Sequence, residues 1–312
     1  MAETVLILKH GALGDLVIES GLIHAIVNRH PGAEISLMTH ASLVKIMDQS
    51  GWFSEFFVDN RGKYTFRELK RICKTIFADR KFDYIYDLQS SDRTLHIYYA
   101  VSRFLTRNPM NWGRLAPGGF DFYRTPSKRA YSWGRATVEH VDVTPLPADI
   151  SFCHGEHANF HLLPERYALL FPGCSAKNPQ KRWPAERYRE ISMRLGARGI
   201  KTVVAGTTAE AAEISAIAKG NPHAVDFMGK SSIIDIPDLA RGALVVVGND
   251  TGPSHMSRLS GAKTIMLFNE YDKRAAAVMP NVINIDNVRV SDIQVDEVMS
   301  AVDQMLEGGG VR

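Results

Sequence analysis

Two apolar runs, each breaking at a glycine-rich turn that opens a helical pattern, constrain the fold of this chain more than any other feature. One reads TVLILKHGALGDLVIESGLIHAI and the other LVVVGNDTGPSHMSRLSGAKTIMLF, in opposite halves of the sequence. A continuous apolar run suits a strand buried on both faces, the habit of parallel sheets. A helix that begins directly after such a strand presents backbone N–H groups without intrahelical partners, so each turn is a place to hold an anion. In the first turn Gly11 and Gly14 let the backbone reverse tightly, and Asp15 puts a carboxylate at the helix opening. In the second, Gly248 and Gly252 bracket Asn249, Asp250 and Thr251, setting N–H groups beside a hydroxyl. The pairing implies a cleft between two similar domains, with a phosphate held on one side and a carboxylate facing it from the other.

The rest of the chain repeats that rhythm. Apolar runs at 4–8, 34–38, 56–58 and 84–88 alternate with helical patterns at 15–29, 42–49 and 66–77. After an aperiodic stretch at 110–148, rich in Gly, Pro, aromatic and basic residues and read as loop and linker, the alternation restarts. Strands are expected at 167–171, 201–205, 224–228, 244–247 and 263–268, with helices at 184–198, 209–219, from 253, and at 295–306. Strands alternating with helices imply parallel sheets with right-handed crossovers. The 312-residue length suits two domains at roughly 150 residues each. The expected architecture is α/β, two Rossmann-like doubly wound parallel sheets, divided as 1–155 and 156–312. Ligands of such sheets bind beyond the carboxyl ends of the strands, where both glycine turns lie.

Composition narrows the class. Hydrophobic content of 45% with 23% charged residues is that of an ordinary globular protein, and a formal charge of +3 does not indicate a nucleic-acid partner. Cys73, Cys153 and Cys174 are odd in number and widely spaced, which disfavours a disulfide framework and a zinc site and points to the cytoplasm. The N-terminal run is interrupted by Lys9 and His10 and reads as a first strand rather than a signal peptide, and no run of about 18 apolar residues occurs.

Three groups of residues could carry chemistry. Asp250, Thr251, Gly252 and His255 follow the strand LVVVG, where a phosphate could be gripped; the alternative is that Asp250 or Thr251 only caps the helix and His255 only packs. Lys181 and Arg182 precede Pro184, itself suited to a first helical turn, so their cationic ends either reach the turn region or lie solvated beside Trp183. Asp15 either caps its helix or, within reach of an acceptor hydroxyl, serves as general base. No D-x-D motif and no His and carboxylate cluster with metal-ligand spacing is present, and no cofactor is expected.

With their order and spacing, these segments resemble glycosyltransferase family 9, the lipopolysaccharide heptosyltransferases. The resemblance rests on a basic residue before L-G-D, then RHPGAEISLMT, FDYIYDLQSSDRT, FPGCSAKNPQKRWPAERY, VVAGTTAEAAEI and VVVGNDTGPSH, covering nearly all of the chain outside 110–148. It implies a GT-B fold and inverting, metal-independent transfer of heptose from ADP-heptose to a lipopolysaccharide core. By the same resemblance Asp15 matches the catalytic base, Lys181 the lysine on the donor diphosphate, and Asp250, Thr251 and Gly252 the donor turn. Ser175 lies in the matching loop, Glu210 matches the acid on the ribose hydroxyls, and Met228 and Gly229 match the adenine pocket. Three departures stand out: Phe268, Asn269, Glu270 and Tyr271 replace the family's Phe-Gly-Pro-Thr, Gly21 stands where a proline is usual, and Arg258 where a small residue is usual.

A phosphorylated, anionic glycan or glycolipid acceptor would suit cations. Lys9 and His10 beside the first turn, and Arg67 and Arg71 with Lys63, Lys70 and Lys74, are the candidates; the second group could also touch the inner membrane as a peripheral contact, or be a solvated helix face. Trp112, Tyr123, Tyr131 and Trp133 could stack on sugars or anchor the linker. Alternative readings are a same-fold transferase using another nucleotide sugar or a protein or small-molecule acceptor, a noncatalytic nucleotide-sugar-binding protein, and a dinucleotide oxidoreductase. The last is disfavoured because GALGDL lacks the full G-x-G-x-x-G spacing.

Overall fold

A computed structural model gives the architecture and describes residues 2–60, 67, 70, 72, 74, 82–89, 91, 93–94, 111–114, 146–270 and 278–307. The chain divides into two compact units, Met1–Ala148 and Asp149–Arg312.

The first unit is built on a parallel sheet of β1 (Thr4–Leu8), β2 (Glu34–Thr39), β3 (Glu55–Val58), β4 (Tyr84–Asp87) and β5 (Asn111–Arg114), in the order β3-β2-β1-β4-β5. Strand β1 is central because it is the most continuously apolar: Val5, Leu6, Ile7 and Leu8 are fully buried. The helical pattern after it forms two helices, α1 (Leu13–Ile18) and α2 (Ser20–Arg29), broken at Glu19, whose backbone sits at φ −85° and ψ 2°. Ser20 contributes to the break by donating its hydroxyl to the Val17 carbonyl at 2.8 Å, a side-chain bond that competes with the helical ladder. Helix α3 (Ala41–Asp48) follows β2. Strand β5 falls inside the stretch read as loop; four residues at a sheet edge, one of them Gly113, carry too little alternation to be recognised.

The second unit has six parallel strands: β6 (Tyr167–Phe171), β7 (Lys201–Gly206), β8 (Ala224–Met228), β9 (Val246–Asn249), β10 (Thr264–Asn269) and β11 (Val282–Asn287), in the order β11-β10-β9-β6-β7-β8. Its helices are α4 (Ala185–Gly196), α5 (Ala211–Ala218), α6 (Ile236–Gly242), α7 (Gly252–Leu259) and α8 (Val295–Glu307). The core gathers Leu170, Val204, Val247 and Leu267 from the sheet with Trp183, Tyr188, Ile191 and Val298 from the helical layer. Two elements went unread in the sequence. One is α6, seven residues containing Pro237 and Gly242, and the other is the half-buried edge strand β11.

Both sheets are doubly wound. The chain reverses direction between β1 and β4 in the first and between β6 and β9 in the second, and each glycine turn leaves a strand at such a reversal. The residues just after Ala148 fold onto the second unit. Gly155 N–H donates to Asp238 at 2.8 Å, and the N–H groups of Glu156 and His157 donate to Asp235 at 2.8 and 3.1 Å. The units therefore divide at 148/149, seven residues before the division drawn from the strand–helix alternation.

Candidate functional site

In the second unit, four strand ends deliver candidate site residues to one edge of the sheet. Ser175 follows β6 and is exposed, its hydroxyl accepting from Lys177 N–H at 3.3 Å. Glu210 follows β7, where it closes a capping box by accepting from Thr207 N–H at 2.8 Å and Thr207 Oγ1 at 2.6 Å. Met228 ends β8, and Gly229 turns away in a left-handed conformation at φ +67°. Asp250, Thr251 and Gly252 follow β9. Thr251 is the N-cap residue of α7 by backbone geometry but makes no side-chain cap; its hydroxyl lies 3.4 Å from both the Asn249 carbonyl and Ser254 Oγ. As at any helix start, the first N–H groups of α7 have no acceptor within the helix.

The piece that joins these loops is Asn249, fully buried at the end of β9. Its Oδ1 accepts from Trp183 N–H at 3.1 Å and from Tyr188 OH at 3.0 Å, while its Nδ2 donates to the Pro172 and Gly173 carbonyls at 2.8 and 3.2 Å. All four hydrogen-bonding capacities of the amide are used. The loop after β6, the start of α4 and the turn after β9 are thereby tied together. Sequence reading treated Asn249 only as part of a glycine-bracketed turn; a buried asparagine ending an apolar strand was the available signal.

That tie places Lys181 against the turn after β9. Its ammonium lies 2.5 Å from Asp250 Oδ2, with the lysine side chain 19% exposed and the aspartate 6%. His255 Nε2 meets Asp250 Oδ1 at 2.9 Å, and Arg258 Nε donates to His255 Nδ1 at 3.0 Å. Burial pushes the Asp250 carboxyl up, but the His255 hydrogen bond and the Lys181 charge outweigh it and hold the group below its usual range. Arg182 turns the other way, pairing with Glu213 and donating Nε to Cys174 Sγ at 3.3 Å.

The first-unit turn separates a buried base from an accessible rim. Lys9 forms a 2.7 Å ion pair with Glu19 and donates to the Leu88 carbonyl at 3.3 Å. His10 Nε2 lies 3.1 Å from Asp59, which also receives Arg93 Nε at 2.8 Å. Lys9 and His10 are only 4% and 2% exposed, so both side chains support the turn from beneath. Gly11 crosses in a left-handed conformation at φ +100°, and a Cβ there would lie 2.6 Å from Leu43 Cδ1. Beyond it Ala12 is exposed and Asp15 half-buried. Asp15 Oδ2 accepts the Ala12 N–H at 3.3 Å, a long capping bond and the carboxylate's only hydrogen bond among the described residues. Burial raises Glu19 to about 7, against the opposing pull of Lys9, with the Asp15 charge adding a smaller upward push.

Of the basic helix face, Arg67, Lys70 and Lys74 are exposed while Ile72 is buried, in keeping with an outward basic side; Lys63 and Arg71 lie outside the described residues. Tyr123, Tyr131, Trp133 and the Trp112 side chain also lie outside them. Among the described residues no group of three His, Cys, Asp or Glu side chains could hold a metal ion, and no helix is long and apolar enough to cross a membrane.

The model of glycosyltransferase family 9 (heptosyltransferase) matches residues 136–298, just over half of the chain. The chain belongs to glycosyltransferase family 9. Solved structures of the same architecture include a glycosyl transferase family 9 protein from Veillonella parvula, with a TM-score of 0.76 at 17% identity over 98% of both chains. The E. coli ADP-heptose lps heptosyltransferase II aligns with a TM-score of 0.73 at 17% identity, over 99% of this chain and 100% of that one. E. coli heptosyltransferase WaaC with ADP aligns at 0.69 and 16% identity, over 97% and 98%. No curated protein matches the sequence. The fold is therefore GT-B, two parallel sheets with flanking helices, and the protein is a glycosyltransferase.

As a family 9 member, the chain's departures acquire physical reasons. The backbone of residues 146–147 runs directly over α2 at Gly21: a Cβ there would lie 2.0 Å from the Leu146 carbonyl oxygen, and Leu146 N–H donates to the Gly21 carbonyl at 3.2 Å. No larger residue fits. Arg258, where the family's small residue would stand, is 1% exposed and reaches His255 from behind the turn after β9. Asn269 ends β10, 6% exposed, in register with Asn287 of β11. Tyr271 lies outside the described residues.

Proposed function

We propose that this family 9 glycosyltransferase moves a heptose from ADP-heptose, with inversion and without a metal ion, to a lipopolysaccharide core or a related anionic glycan. The observation that carries the donor half is the convergence of Ser175, Lys181, Glu210, Met228, Gly229 and the Asp250–Gly252 turn on one edge of the second unit's sheet, where doubly wound proteins bind nucleotides. The names of its structural relatives, one a heptosyltransferase with ADP and another an ADP-heptose heptosyltransferase, support adenine over other bases.

In the reaction the acceptor hydroxyl gives its proton to Asp15 as its oxygen bonds to the anomeric carbon, and the bond from that carbon to the diphosphate oxygen breaks with its electron pair leaving on ADP. A carboxylate of ordinary basicity suffices, because the hydroxyl becomes strongly acidic only as the new bond forms. Charge accumulating on the departing diphosphate is met by the Lys181 ammonium and the N–H groups that open α7. Charge-assisted hydrogen bonds, from Lys181 and from those N–H groups alike, are worth about 1.5–3 kcal/mol each and outweigh the about 0.3–1 kcal/mol available from the helix dipole, so the local donors dominate. Glu210 would leave its capping role to receive the ribose hydroxyls, Met228 and Gly229 would border the adenine, and Ser175 and His255 would complete the donor contacts. Lys9 and His10 would act on the acceptor through the turn they support, with the cations of Arg67 and Arg71 drawing in its negative charge.

A thermal-shift series with ADP, UDP and GDP tests the donor. At concentrations about a hundredfold above Kd, ADP is expected to raise the melting temperature by roughly 5 °C while UDP and GDP leave it unchanged. Stabilisation by UDP or GDP and not by ADP would overturn the assignment.

A further inference from the structure

Four side chains run inward from the donor turn in one file. Lys181 is at the mouth, Asp250 next, then His255, and last Arg258, a cation 1% exposed in the body of the unit. The direction of one hydrogen bond fixes the others. A guanidinium has donors and no acceptor, so the 3.0 Å contact from Arg258 Nε requires His255 Nδ1 to be the bare, accepting nitrogen. The ring proton is then on Nε2, which donates to Asp250 Oδ1 at 2.9 Å. With one carboxylate oxygen taken by His255, the other points at Lys181 Nζ, 2.5 Å away.

We infer that Arg258 is a positioning residue for the donor site: it locks His255 in the Nε2–H tautomer, so that Asp250 stays an acceptor on both sides and holds the Lys181 ammonium where a diphosphate can take it over. The functional half rests on the reading of Lys181 as diphosphate ligand; the tautomeric half does not. With Arg258 removed, His255 could carry its proton on Nδ1 or on both nitrogens. With a bare Nε2 the ring would turn a lone pair toward Asp250, and the carboxylate would lose the contact that sets its rotamer. A second, part-buried contact puts Arg258 Nη1 at 3.9 Å from Met279 Sδ.

Nitrogen-15 spectra of the histidine rings in the full chain near neutral pH test the inference, with the His255 signal identified by its loss in His255→Gln. The wild type should show a protonated Nε2 and a bare Nδ1. Arg258→Met should lose that pattern and weaken ADP binding by roughly tenfold, the worth of one well-placed hydrogen bond. Arg258→Lys, which still offers a charged donor, should largely restore both. A wild-type His255 protonated on Nδ1 overturns the inference even if no variant folds, as does Arg258→Met with tautomer and ADP affinity unchanged. If the wild type binds no nucleoside diphosphate, the donor reading falls while the His255 spectrum still decides the tautomer.

Discussion

Lys181 and Asn249 show how differently two residues of one site announce themselves. Lys181 is visible as a basic residue before a helix-opening proline, yet its partner Asp250 stands 69 positions away, a pairing that no local pattern encodes. Replacing Lys181 with Ala should raise the donor Kd and lower turnover together, since in the proposed reaction the ammonium holds ground-state and departing diphosphate alike. Calorimetry beside a turnover assay reads both, and unchanged values would remove the residue from the site. Asn249 was legible as a turn residue only, because its four partners, Pro172 and Gly173 after β6, Trp183 before α4 and Tyr188 within it, stand 61 to 77 positions away. Asn249→Ala strands the buried Trp183 N–H, takes a donor from two carbonyls and leaves the Tyr188 hydroxyl only its 3.3 Å bond to the Phe171 carbonyl, and should cost about 3 kcal/mol of stability in denaturant titration. Lys9 and His10 illustrate the converse: they were recognised as basic residues beside the turn, but their burial depends on Glu19 and Asp59, beyond the reach of composition.

At the level of elements, the central strands were the easiest to read, since β1 and β6 are buried on both faces and therefore uniformly apolar. Edges and short pieces were not. Strand β5 has four residues, β11 is half-exposed, and α6 has fewer than two turns, so each lacks the length over which a period declares itself. The break at Glu19 was equally hidden, because both halves of the pattern keep the apolar spacing of one helix. Glycine positions can be tested directly. A Cβ on Gly248 would lie 2.3 Å from Ser254 Oγ and 3.2 Å from Phe171 Cβ, wedging α7 from the sheet, and one on Gly21 would strike the residue 146 carbonyl. Gly248→Ala and Gly21→Ala should each cost about 1–3 kcal/mol in melting experiments. Gly32→Ala, at φ +79° with nothing within 4 Å of its Cβ, reports by contrast the cost of a left-handed φ without a clash.

For the molecule as a whole, the sequence reading foresaw two doubly wound units, and the acid-base state of the first ties its stability to pH. Glu19 has a folded value of about 7 against 4.5 in its unperturbed state, so between these values the native chain keeps a proton that the unfolded chain has released. The stability this confers is complete below pH 4.5 and is lost as pH rises through about 7, a change on the order of 3 kcal/mol. Denaturant midpoints measured across that window should fall with pH in the wild type and flatten when Lys9→Met and Glu19→Gln remove the pair together; an equally steep fall in the double variant would assign the titration elsewhere.

The central claim is a division of labour, with Asp15 of the first unit activating the acceptor and the second unit alone binding the nucleotide. Asp15→Asn, compared with the wild type in donor calorimetry and in transfer to a lipopolysaccharide-core acceptor, addresses it most directly. ADP-heptose affinity should be unchanged while transfer falls by about 10²- to 10⁴-fold, the span of a lost general base. Transfer retained at the wild-type rate, or donor binding lost along with it, would contradict the account.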